Sequence, residues 1–90
     1  MPDTTVTVQH PEGLHARPAA LLVSSAQQFQ SDIQVILGDW IANAKSILEV
    51  LALGANQGAT IIIKAEGEDA EEALSNLEEL VRNNFGDEIE

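Results

Sequence analysis

The chain contains no cysteine, which excludes both a disulfide scaffold and a thiolate metal site. Its two histidines, His10 and His15, are too few for a histidine-based zinc site, so neither a metal nor any other cofactor is expected. Basic residues are scarce as well. Four lysines and arginines stand against fifteen acidic residues, giving a formal charge of −11. Holding a nucleic-acid backbone needs clustered cations, so nucleic acid is excluded as a partner. No apolar run approaches membrane-spanning length and no basic-then-apolar leader is visible, so a soluble, cytoplasmic protein without membrane insertion is expected. Only Phe29, Trp40 and Phe85 are aromatic, so the core must be aliphatic.

What remains is enough for one small domain over residues 1–90, because 44% of the 90 residues are hydrophobic. Residues 4–9 alternate as a strand that points Val6 and Val8 inward. His10 to Gly13 form a loop in which His10 has no special role. Ala19, Leu22, Val23, Ala26 and Phe29 recur at helical spacing from Ala16 to Phe29, leaving Arg17, Ala20, Leu21, Ser24 and Gln27 on the outer side. Ile33, Val35 and Leu37 begin a hairpin that turns at Gly38–Asp39 and returns through Trp40–Ala42. Ser46 and Glu49 match a capping box opening a helix from Ile47 to Leu53, which Gly54 ends. Thr60 to Glu66 is the strongest strand. Asp69 with Glu72 resembles a second capping box, ahead of an amphipathic helix built on Ala70, Ala73, Leu74, Leu77, Leu80 and Val81.

Ten of the acidic residues fall between Glu66 and Glu90, and such a run reads as a solvated face. The tail after Phe85 is expected to fray. The element order β-α-β-β-α-β-α suits an α+β sandwich, with a four-stranded antiparallel sheet covered on one face by three helices.

The chemistry concentrates in Gly13-Leu14-His15-Ala16-Arg17-Pro18-Ala19-Ala20. A glycine turn feeding a helix, with proline tolerated in its first turn, sets His15 at the helix N-terminus. That end favours an anion and disfavours a protonated imidazole, while Arg17 offers a guanidinium fork for phosphate oxygens. The combination suits phosphoryl transfer. The plainer alternative is a histidine that merely ends a helix and an arginine that is merely solvated.

The Gly13–Ala19 run, Asn43-Ala44-Lys45-Ser46-Ile47 with Gly54, and Gly67 before an acidic terminal helix together resemble the HPr family, the histidine-containing phosphocarriers of the bacterial sugar phosphotransferase system. The resemblance spans nearly the whole chain and implies the HPr-like open-faced sandwich. It further implies that His15 accepts a phosphoryl group on Nδ1 from enzyme I, which draws it from phosphoenolpyruvate, and passes it to enzyme IIA domains. In this role the protein is a stoichiometric carrier rather than an enzyme, with Arg17 stabilising the phosphate.

By the same resemblance, Ser46 is a target for a dedicated HPr kinase/phosphorylase, whose added charge of roughly −1.5 to −2 would impede enzyme I. A capping serine needs no such explanation. Docking by resemblance uses Ala20, Ser24, Gln27, Ile47, Leu48 and Leu51 of a monomer. Two departures stand out. Glu12 replaces the family's usual small polar residue, setting a carboxylate near the phosphate, and Ser24, Gln27 and Glu49 stand where basic residues are common. A nitrogen-related phosphotransfer regulator acting through protein contacts, and a small binding module without phosphotransfer, are the alternatives.

Overall fold

In the computed structural model, which describes residues 2–86, the isoleucine-rich strand expected from Thr60 to Glu66 lies inside the sheet, with partners on both sides. In chain order the elements are β1 (Asp3–Thr7), α1 (Ala16–Ala26), β2 (Asp32–Leu37), β3 (Trp40–Asn43), α2 (Ile47–Leu53), β4 (Thr60–Glu66) and α3 (Ala70–Arg82), followed by a 3₁₀ turn at Asn84–Gly86. The strands are ordered β1-β4-β2-β3, and each neighbouring pair is antiparallel.

Register follows from the alternation. Val6 lies opposite Ile61, Val35 opposite Ile63, and Val35 again opposite Ala42, and all five are buried. This face is covered by Ala19, Leu22, Val23 and Ala26 of α1, Val50 of α2, and Ala73, Leu74, Leu77 and Val81 of α3. Burying each large aliphatic side chain contributes about 1.5–3 kcal/mol. Among the described residues the opposite face is left open, as a two-layer sandwich requires.

The structure departs from the sequence reading at element ends. α1 stops at Ala26, not Phe29; the chain tightens through bonds from Gln28 N–H to Ser25 and Phe29 N–H to Ala26 carbonyls, and Phe29 packs half-buried against the core. Leu21, expected on the outer side, also packs there. The expected Asp69–Glu72 capping box does not form. Asp69 makes no side-chain cap to α3; its carboxylate instead accepts from Gln30 N–H at 2.8 Å, Ser31 N–H at 2.9 Å and the Ser31 hydroxyl. Gly67 lets the segments touch, because a Cβ there would lie 2.5 Å from Ser31 Oγ. The Ser31 hydroxyl and then the Gln30 N–H hold the Asp69 carboxyl below its ordinary value.

The Ser46 cap is half of a capping box. Ser46 Oγ accepts from Glu49 N–H at 3.3 Å, but the Glu49 carboxylate accepts from Asn43 N–H at 3.0 Å instead of returning to the Ser46 N–H. Gly54 closes α2 in the left-handed region, as expected. The fraying expected of the tail falls mainly on residues 87–90, outside the described residues.

Candidate functional site

His15 is the N-cap of α1, with extended φ and ψ of −127° and 164° and no side-chain cap bond. Ala16 follows in the left-handed region at φ 48°, where a Cβ costs roughly 1–2 kcal/mol. The chain therefore bends sharply between histidine and helix, and Pro18 falls in the first turn as expected. First-turn N–H groups lie ahead of the helix ladder and carry the positive end of its dipole. Among the three α-helices, α1 alone has no acidic residue in its first turn. In a chain with fifteen acidic residues, that makes the start of α1 the helix end best suited to an anion.

The loop before His15 is braced against the loop between α2 and β4. Leu14 N–H donates to the Ala55 carbonyl at 2.7 Å. Gly13 sits at φ 65°, where an added Cβ would meet Ala55 O at 2.5 Å and Asn56 Cα at 2.8 Å, so only glycine permits this approach. The contact carries Asn56 to the site: its Oδ1 lies 3.0 Å from Nε2 of the half-buried His15. Asn56 is 41 residues away in the chain. No local signal could have found it.

His10 proves more than a plain loop residue. It is buried, its Nδ1 accepts from Glu12 N–H at 3.1 Å, and its ring meets Phe85 nearly edge-on with centroids 6.0 Å apart. Its carbonyl also accepts from Gly13 N–H at 2.9 Å. His10 thus shapes the backbone of the loop that bears His15, and Glu12 is held by its backbone while the residue itself is exposed.

Arg17 is exposed at the second position of α1, and Ala20, Ser24 and Gln27 continue at spacings of three, four and three along one exposed stripe. Gln27 Nε2 donates to the Lys45 carbonyl at 3.1 Å, and Lys45 Nζ donates to the Phe29 carbonyl at 2.7 Å. These bonds tie the end of α1 to the start of α2, where Leu48 is 77% exposed and Ile47 and Leu51 each 38%. Trp40 and Ile41, 72% and 60% exposed, form a second apolar surface on β3, beyond the strand that the sequence predicts there.

Residues 2–83 match the model for the phosphorylation site of the HPr component of the phosphotransferase system. The chain belongs to the HPr family. Phosphocarrier protein HPr of Treponema pallidum is 43% identical over 84 residues, covering 93% of this chain and 96% of its own. The HPr-C-His structure from Thermoanaerobacter tengcongensis superposes with a TM-score of 0.96 at 43% identity, covering 99% of this chain and all of that one. A structure described as an HPr dimer from the same organism gives 0.78 at 42% identity, covering 97% and 100%. The open-faced HPr sandwich expected from the sequence is the fold observed. HPr proteins are phosphocarriers of the phosphotransferase system, and this chain is one of them.

Proposed function

We propose that His15 receives a phosphoryl group on Nδ1 from phosphorylated enzyme I and delivers it to enzyme IIA domains, coupling sugar uptake to phosphorylation. The observation that carries this reading is the half-buried His15 at the acid-free start of α1, within a chain of the HPr family. The Nδ1 lone pair forms the bond to phosphorus while the phosphorus–donor bond breaks and its electron pair stays with the donor. Arg17 and the first turn of α1 balance the phosphate charge. No side chain need activate water, because the phosphoramidate must survive between partners. The chain consequently acts as a stoichiometric carrier, working as one unit in the cytoplasm.

Docking falls to Ala20, Ser24 and Gln27 on one helix and Ile47, Leu48 and Leu51 on the other, exposed aliphatic residues rimmed by polar ones. Ser46 lies beside this patch, so its phosphorylation by an HPr kinase/phosphorylase would set a doubly charged group against enzyme I. Self-repulsion at a charge of −11 favours a monomer, which light scattering behind size exclusion reads directly.

The test is incubation with phosphoenolpyruvate and enzyme I. An acid-labile, alkali-stable label that is lost in His15→Ala is expected; a label that survives the substitution ends the reading.

A further inference from the structure

We propose that Asn56 is a positioning residue for His15, fixing the ring and its tautomer so that Nδ1 presents the lone pair that takes the phosphoryl group; this rests on the carrier reading above. The Asn56 Oδ1 atom, 3.0 Å from His15 Nε2, is an amide oxygen that can only accept, so Nε2 is the ring nitrogen bearing hydrogen. A neutral imidazole carries one N–H, which leaves Nδ1 unprotonated and nucleophilic.

The partner is itself well held. The Asn56 carbonyl accepts from Ala59 N–H at 3.0 Å, and the preceding Ala55 carbonyl accepts from Leu14 N–H at 2.7 Å. Gly13 packs so closely that an added Cβ would come within 2.8 Å of Asn56 Cα. The amide is therefore presented by a backbone fixed on both sides and bonded directly to the His15 loop.

An amide also suits the step better than a carboxylate. When Nδ1 bonds to phosphorus, the donor leaves with its electron pair, the Nε2 proton stays in place, and the ring becomes cationic. Asn56 Oδ1 then accepts from a more acidic N–H and stabilises that charge without adding a negative group beside the phosphate. Delivery runs through the same arrangement in reverse, so both half-transfers depend on it.

The experiment pairs ring spectroscopy with kinetics on the full chain. Long-range proton–nitrogen spectra of uniformly labelled protein, with the ring neutral, are expected to show His15 as the Nε2–H tautomer. In Asn56→Ala both ring-nitrogen shifts move toward those of free imidazole, and in Asn56→Asp, which keeps an acceptor, they return. With phosphorylated enzyme I as donor, Asn56→Ala lowers kcat roughly tenfold with KM unchanged, because the docking helices are untouched. Dispersed amide spectra establish that both variants are folded. Unaltered ring-nitrogen shifts in Asn56→Ala, or a KM effect without a kcat effect, overturn the proposal. The carrier reading fails by a separate signal, the absence of label on wild-type His15, while the nitrogen shifts of the unphosphorylated ring are read independently of it.

Discussion

Arg17 is the cation closest in sequence to His15, two residues away, and the other three cations lie elsewhere. Lys45 is bonded to the Phe29 carbonyl, Arg82 lies 3.7 Å from Glu78 one helical turn earlier, and Lys64 sits half-buried in β4. Under the proposed function, replacing Arg17 by Glu would put repulsion beside the phosphate oxygens. Transfer from enzyme I is expected to slow by roughly 10²–10³-fold, the usual cost of losing a charge-stabilising donor. Because Arg17 is exposed, stability should change by no more than about 0.5 kcal/mol. Stopped-flow phosphotransfer beside thermal melts checks both halves, and near-normal transfer would remove Arg17 from the phosphate site. Ala16 gives a second residue-level test. Ala16→Gly relieves the left-handed strain at φ 48° but adds unfolded-state freedom worth about 0.4–1 kcal/mol, so a small net gain in melting temperature is expected.

At the scale of elements, Leu48→Asp puts a charge into the exposed patch of α2 without opening the core, since Val50 is the buried residue of that helix. Enzyme I affinity is expected to fall at least tenfold, measured by calorimetry, with an unchanged fold; unaltered affinity would move the interface elsewhere. Asp69 links the α1–β2 connection to the start of α3. Its carboxyl is held below the ordinary value of 3.8, so its contribution is present above that pH and is lost as pH falls through the lower folded value. Thermal melts of wild type and Asp69→Asn should therefore differ at neutral pH and converge as pH drops below about 4.

These elements also show what the sequence could and could not convey. Period-two and helical spacing identify β1, β2, α1 and α3, because one face of each is covered and one exposed, while α2 is legible from its Ser46 cap and Gly54 end, β3 from the turn before it and β4 from its β-branched run. Helix ends were harder: Asp69 has the residue type and spacing of a cap, yet its carboxylate is taken by Ser31, a partner 38 residues away. The same limit hid Asn56. His15 and Arg17 are legible because local spacing sets them at one helix end, whereas Asn56 reaches His15 only after Gly13 packs against a distant loop. His10 looked ordinary for the same reason, as its burial depends on Phe85.

Over the whole molecule, a charge of −11 surrounds the proposed docking stripe, in which Arg17 is the only charged member beside Ala20, Ser24 and Gln27. Association with an acidic enzyme I then gains little from steering and works against long-range repulsion. Salt screens that repulsion, with a Debye length falling from about 30 Å at 0.01 M to about 3 Å at 1 M. The association rate with phosphorylated enzyme I from a source where that enzyme is acidic should therefore rise several-fold over this range. A carrier docking through a basic patch would show the opposite slope. Accepting the phosphoryl group adds further negative charge, so the phosphorylated chain should leave the donor faster at low salt than at high salt. Stopped-flow measurement of both rates across ionic strength checks the two signs together. A steep fall of the association rate with salt would place the contact on a charged surface and move the docking site off the stripe of Ala20, Ser24 and Gln27 and the patch of Ile47, Leu48 and Leu51.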